Sequence, residues 1–265
     1  MGGMGVGLPV GGGVGGLVLL LLFSWLTGTN PLDLISTTSA PQDQSVGTTG
    51  VRDKDPQAQF IAVVLADNED TWRDVFSKRR QAYMPPVLVL FDGATQSGCG
   101  VGRSEVGPFY CPADRKVYLD LSFFRELDQR FGAPGDFAQA YVVAHEVGHH
   151  VQNLLGIQER MAPMGNMRRG AAANADSVRL ELQADCLAGV WAHHANRSDL
   201  LDPGDIDEGL RAAAAIGDDR IQRMSHVSVS PESWTHGSSA QRARWFRQGF
   251  ENGSVSQCDT SAEGS

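Results

Sequence analysis

The run AYVVAHEVGHHVQ, residues 140–152, sets the strictest condition on the fold, because it sets three imidazoles and a carboxylate in an otherwise apolar segment. Residues four apart in a helix share a face, so His145 and His149 stand together, with Glu146 beside the first. A solvated helix would have to expose Tyr141, Val142, Val143, Ala144 and Val147. A buried one must find partners for its ionisable groups, which are costly to bury alone. A metal ion removes that cost. Two imidazoles one turn apart reach a single Zn2+ at about 2.0–2.1 Å. Glu146 then lies beside the open coordination position, where a carboxylate takes a proton from water. The pattern is HExxH, and its placement inside an apolar helix carries more weight than its letters. His150 points about 100° away from His149 and reads as a polar-face residue or a support for the ligands, not as a ligand.

A catalytic zinc takes a third protein ligand. The HExxHxxGxxH arrangement is excluded, since Gln152 and Leu155 stand where it needs the glycine and the third histidine. The other common source is a carboxylate on a later helix. SVRLELQADCLAGVWAHH, residues 177–194, offers Glu181 and Asp185 one turn apart, among Leu180, Leu182, Ala184, Leu187, Ala188 and Val190. A merely solvated acidic face would not have such neighbours. Glu181 is favoured as the ligand, with Asp185 accepting the other ring N–H of a ligating histidine and fixing its tautomer. The alternative makes Asp185 the ligand. Imidazole with carboxylate suits zinc best, although iron, cobalt and manganese take similar donors. His193 and His194 end that helix, where cations suit the dipole, and are not assigned to metal.

Val6–Leu26 carries no charge and closes on LVLLLLFSWL, a length that matches a bilayer core at about 1.5 Å per residue. Nothing basic precedes it and no clean A-x-A follows, which counts against a cleavable signal. The glycines at 11–13 disfavour a helix in water but are tolerated in membrane-spanning ones. A Gly-rich anchor is therefore expected over 1–27, with no Lys/Arg asymmetry to orient it. Residues 28–58 have a linker composition, which leaves 59–265 as the globular domain.

None of Cys99, Cys111, Cys186 and Cys258 forms a CxxC pair. An even number behind an apolar segment fits two disulfides in an oxidising compartment, and so a domain outside the cytoplasm. The favoured pairing is Cys99–Cys111, closing a Gly-rich loop, with Cys186–Cys258 tying the tail to a helix; two other pairings stay formally open. The net charge of -9 argues against a nucleic-acid partner. The expected partners are the membrane and a peptide or protein substrate, and oligomeric state is not set by the sequence.

FIAVVLADNEDTWRDVFSKR places Ile61, Val64, Leu65, Trp72 and Phe76 at helical spacing. PPVLVLFDG reads as a strand closed by Asp-Gly, and Lys116–Leu121 as a second, with Val117, Leu119 and Leu121 alternating against polar partners. This second strand is expected to offer an edge to an extended peptide. FFRELDQRF is helical. A helix from Asp136 as N-cap to Leu155 ends at Gly156, and further helices are expected over Ser177–Ala195, Asp205–Gly217 and Ala240–Gly249. The fold class is α+β, helix-rich with a small sheet, preceded by one transmembrane helix.

AHEVGHHVQ, RLELQADCLAGVWA, GPFYCPADRKVYLDLSFF, AAAAIGDDRIQ and WTHGSSAQRARWF closely resemble the bacterial putative neutral zinc metallopeptidase family, over Gln59 to Thr260. The resemblance implies a zincin-like domain with one Zn2+ per chain, Glu181 as ligand and Asp185 behind it. Members often begin with an Arg-rich stretch, which this chain lacks. Peptide-bond hydrolysis with Glu146 as general base is the implied activity. The alternative is a metal-stabilised, catalytically weak binding module at the cell envelope. Related peptidases carry a His followed by an Arg where this chain has His236 and Arg242, so these two are candidates for donors to the developing oxyanion. The competing reading is a capped helix, with Ser238 or Ser239 as N-cap and Arg242 and Arg244 on its surface. Tyr141 either lines the cleft or belongs to the core.

Overall fold

Helix α1 (Pro56–Lys78) starts where Asp55 caps it, its carboxylate accepting from the Gln57 N–H at 2.9 Å. Pro56 occupies the first turn, where a missing N–H costs nothing. The computed structural model describes residues 55–104, 107–157, 159–160 and 170–261. The anchor expected over 1–27 and nearly all of the linker over 28–58 lie outside the described residues. Among the described residues, no helix is long and apolar enough to cross a membrane. Ile61, Val64, Leu65, Trp72 and Phe76 form the buried stripe of α1, as their spacing requires.

Three strands make the main sheet: β1 (Val87–Phe91), β4 (Phe109–Cys111) and β5 (Lys116–Asp120), in the order β1-β5-β4. β1 runs parallel to β5 with Val89 opposite Tyr118, and β4 runs antiparallel with Tyr110 opposite Val117. The Gly-rich stretch folds as a hairpin of β2 (Ala94–Ser97) and β3 (Gly100–Arg103). Two expectations for the second strand fail here. β5 lies between two neighbours, so its N–H and C=O groups are used in the ladder and it offers no edge to a peptide. Nor does it alternate: Tyr118 and Asp120 are as buried as Val117 and Leu119. Phe109 stacks on Tyr118 with ring centroids 4.8 Å apart, covering the face that the alternation assigned to solvent.

The other α-helices among the described residues are α2 (Leu121–Gln129), α3 (Asp136–Leu154), α4 (Ala171–Arg197), α5 (Asp205–Ala215), α6 (Asp218–Met224) and α7 (Ser239–Asn252). The described chain is thus helix-rich with small sheets. Asp136 is the first helical residue of α3 and not its cap; Gly135 takes that place. α4 starts six residues before the expected Ser177, because Ala171–Ala173 are strong helix formers. The helix expected over Asp205–Gly217 stops at Ala215, and α6 begins after Gly217. α7 starts at a capping box in which Ser238 and Gln241 satisfy each other's backbone N–H groups.

α3 packs on α4, and α7 crosses α4. The crossings need residues without side chains. A Cβ on Gly148 of α3 would stand 2.9 Å from the Ala184 carbonyl oxygen, and one on Gly249 of α7 only 1.9 Å from that of Cys186. These approaches bring α3, α4 and α7 close enough for their side chains to meet in one buried cluster. The disulfides pair as favoured, Cys99–Cys111 and Cys186–Cys258, with no free cysteine.

Candidate metal centre

His145 and His149 project from α3 toward Glu181 on α4. His145 Nε2 lies 3.2 Å from one Glu181 carboxylate oxygen and His149 Nε2 lies 3.4 Å from the other. The two imidazole rings stand nearly perpendicular, with centroids 4.8 Å apart. One donor atom from each of the three residues lies within 4.8 Å of the others. Glu146, almost fully buried, neighbours His145 on the helix.

The hydrogen bonds behind the rings fix what the rings present in front. His145 Nδ1 meets Asp185 Oδ1 at 2.8 Å. Asp185 is held by Arg242, whose Nε donates to Oδ2 and whose Nη2 donates to Oδ1, each at 2.9 Å. Tyr141 donates its O–H to the same Oδ1 at 2.5 Å. A carboxylate in that setting can only accept, so His145 Nδ1 carries the hydrogen. His149 Nδ1 meets Gln152 Oε1 at 2.9 Å and is a donor for the same reason. Each imidazole therefore turns Nε2 toward the Glu181 carboxylate, which has only lone pairs to offer. Neutral rings would set acceptors against acceptors, and a cation between them resolves the conflict. The donor set, two imidazoles and a carboxylate, suits zinc.

The electrostatics state the same demand. Burial works against charge on His145, but Asp185 and Glu181 outweigh it and raise its pKa to about 10. Burial likewise opposes ionisation of Glu181, yet His149 and His145 hold it well below the carboxylate range. Asp185 is lowered, burial being overcome by Arg242 and His145. Glu146 differs: burial dominates and its pKa is raised, as suits a proton acceptor.

Of the two candidate oxyanion donors, Arg242 is not on the helix surface; it is 2% exposed, with its nitrogens on Asp185, the Tyr141 hydroxyl and the Ile216 carbonyl. It orders Asp185 and, through it, His145. His236 is half-exposed, and its Nδ1 lies 3.1 Å from Asp218 Oδ1. Both residues line the same cleft of about 590 Å3 as His145, Glu146, His149 and Glu181, and Phe123, Phe131, Leu180 and Ile216 supply apolar walls. Tyr141 is core and cleft at once. His150 does not lie on a polar face. It is fully buried, donating from Nε2 to the Met84 carbonyl at 2.6 Å and accepting at Nδ1 from the Tyr110 hydroxyl at 3.0 Å. In the sequence Gln152 stands out only as the residue where HExxHxxGxxH needs its glycine; its place three residues after His149, on the same helix face, is the signal for its role.

The chain matches the family described as putative neutral zinc metallopeptidase over residues 1–261. The uncharacterized protein YpfJ of Escherichia coli strain K12 is 48% identical over 262 residues, 98% of this chain and 90% of that protein. The uncharacterized protein Rv2575 of Mycobacterium tuberculosis strain H37Rv is 49% identical over 190 residues, 67% of this chain and 63% of its own. No solved structure matches the chain.

Proposed function

The chain belongs to the putative neutral zinc metallopeptidase family, and we propose that it hydrolyses peptide bonds with one zinc held by His145, His149 and Glu181. The observation that carries this reading is a three-donor cluster opening on a cleft, with the buried Glu146 beside it. Structural zinc sites are closed by four protein ligands, whereas three leave a position for chemistry. A zinc ion bound there supplies a Lewis acid that polarises a carbonyl and acidifies a water. Glu146 takes the proton of the attacking water and returns it to the departing amine, so the peptide bond is exchanged for a carboxylate and an amine. Glu146 is buried beside the three donors, where a carboxylate can reach a water at the open position. Asp185, held by Arg242 and Tyr141, keeps His145 in the tautomer that leaves Nε2 free. His236 is the donor proposed for the developing oxyanion: Asp218 engages its Nδ1, which leaves Nε2 for the substrate.

The substrate is a peptide or unfolded protein segment. β4, paired only with β5 among the described strands and contributing Phe109 and Tyr110 to the cleft, is the strand we assign to main-chain pairing with it. We place the domain outside the cytoplasm, behind an anchor in residues 1–27; the two disulfides support this. Metal analysis of the purified protein, paired with digestion of an unfolded protein, tests the proposal. One zinc per chain and cleavage abolished by a chelator are expected. Folded protein that takes up no zinc overturns it.

A binding module that uses the metal only for stability is the second reading. It draws on one observation: Arg242, the stronger of the two candidate donors to an oxyanion, is already committed to Asp185.

A further inference from the structure

Asp185 stands behind His145, and the structure puts a different residue behind His149. Gln152 is fully buried, three residues along the same helix, and its amide makes three hydrogen bonds. Nε2 donates to the Leu180 carbonyl at 2.7 Å and to Gln183 Oε1 at 3.0 Å. Gln183 in turn donates from its own Nε2 to the Cys258 carbonyl at 2.8 Å, which fixes which end of that amide faces Gln152. A backbone carbonyl accepts and never donates, so the Gln152 amide cannot be turned round without opposing oxygen to oxygen. Its Oε1 therefore faces His149 Nδ1, at 2.9 Å.

From this geometry we propose that Gln152 is the positioning residue for His149: it holds the ring as the Nδ1–H tautomer and aims Nε2 at the metal. Its bond to the Leu180 carbonyl, on the residue before Glu181, fixes which end of the amide faces His149. The two histidines are thus steadied by unlike partners, one ionised and one neutral. A neutral acceptor leaves the ring less electron-rich than a carboxylate would, and it adds no buried charge beside Glu181. This role rests on the metal reading proposed above.

The test is zinc affinity, measured on the purified full chain by competition with a chromogenic chelator, for wild type, Gln152→Leu and Gln152→Glu. Gln152→Leu has no acceptor for His149 Nδ1–H and should bind zinc about 10–100-fold more weakly. Gln152→Glu keeps an oxygen facing Nδ1 while losing the bonds to Leu180 and Gln183, and should stay within a few-fold of wild type. A purely structural role moves the two variants together, because both lose the same contacts. Equal weakening in both, or unchanged affinity in Gln152→Leu, overturns the proposal while leaving the zinc site standing. Folded wild-type protein without zinc overturns the metal reading and this role with it. If Gln152→Leu does not fold, Gln152→Met, of nearly the same length, replaces it in the comparison.

Discussion

Arg242 grips Asp185 with two nitrogens, Nε on one carboxylate oxygen and Nη2 on the other, both at 2.9 Å, where neither side chain reaches solvent beyond 2%. Such a pair is of modest net worth when complete and expensive to break. Here it does more than hold α7 to α4, because the oxygen that receives Nη2 also receives His145 Nδ1–H.

Arg242→Met is accordingly expected to leave Asp185 as an uncompensated buried charge, costing about 3–5 kcal/mol of stability in denaturant unfolding. Zinc affinity should fall by about 10–100-fold, since the carboxylate that orients His145 is no longer anchored. A loss under about 1 kcal/mol, in the range of exposed ion pairs, contradicts this picture.

His150 gives the protein a defined acid sensitivity. Burial lowers its folded-state pKa, and both ring nitrogens are engaged as in a neutral imidazole. The unfolded chain binds the proton more readily, with a pKa near about 6.5. The sign follows: this contribution is fully present above about pH 6.5 and is lost as pH falls toward the lower folded value. As pH falls from 7.5 to 5.5, wild-type stability should decline through this group, because the unfolded chain takes up the proton first. Unfolding curves of His150→Leu, itself less stable, should lack that component. Parallel slopes in the two proteins contradict it.

The disulfides differ in span. Cys186–Cys258 closes 72 residues and Cys99–Cys111 closes 12. Chain entropy assigns about 4.5 kcal/mol to the first and about 3 kcal/mol to the second. The double alanine variant at 186 and 258 should therefore lower the unfolding midpoint further than the one at 99 and 111. It should also weaken zinc binding, because Cys186 follows Asp185 directly. The opposite ranking contradicts this.

Gly148 lies between the two histidines and against Ala184, three residues after Glu181. A Cβ there would stand 2.9 Å from the Ala184 carbonyl oxygen and 3.2 Å from its Cα, both backbone atoms that cannot rotate away. Gly148→Ala should cost about 1–3 kcal/mol by overpacking. By spreading α3 from α4 it should also reduce zinc affinity, and calorimetry measures both. An unchanged protein would mean the helices have slack that the contacts do not show.

Much of the centre was legible because it is written in helical periods. His145 and His149, and Glu181 and Asp185, are each one turn apart, and a local rule places each pair on a common face. What the sequence did not disclose depends on partners distant along the chain. Arg242 lies in SAQRARWFRQGF among other cations, and its spacing looks like a solvated face; only Asp185, 57 residues earlier, makes it a buried one. β5 looks like a half-exposed strand until β1 and β4 flank it and Phe109 covers Tyr118. His150 finds its acceptor at Met84, 66 residues away.

The most direct test of the account compares wild type with Glu146→Gln, which keeps the size of the side chain and removes its basicity. Zinc content and cleavage of an unfolded protein are measured on the same samples. The account predicts about one zinc per chain in both proteins, with cleavage in the variant reduced by about 10²–10⁴-fold. Equal cleavage by both proteins, or folded wild-type protein that holds no zinc, would contradict it.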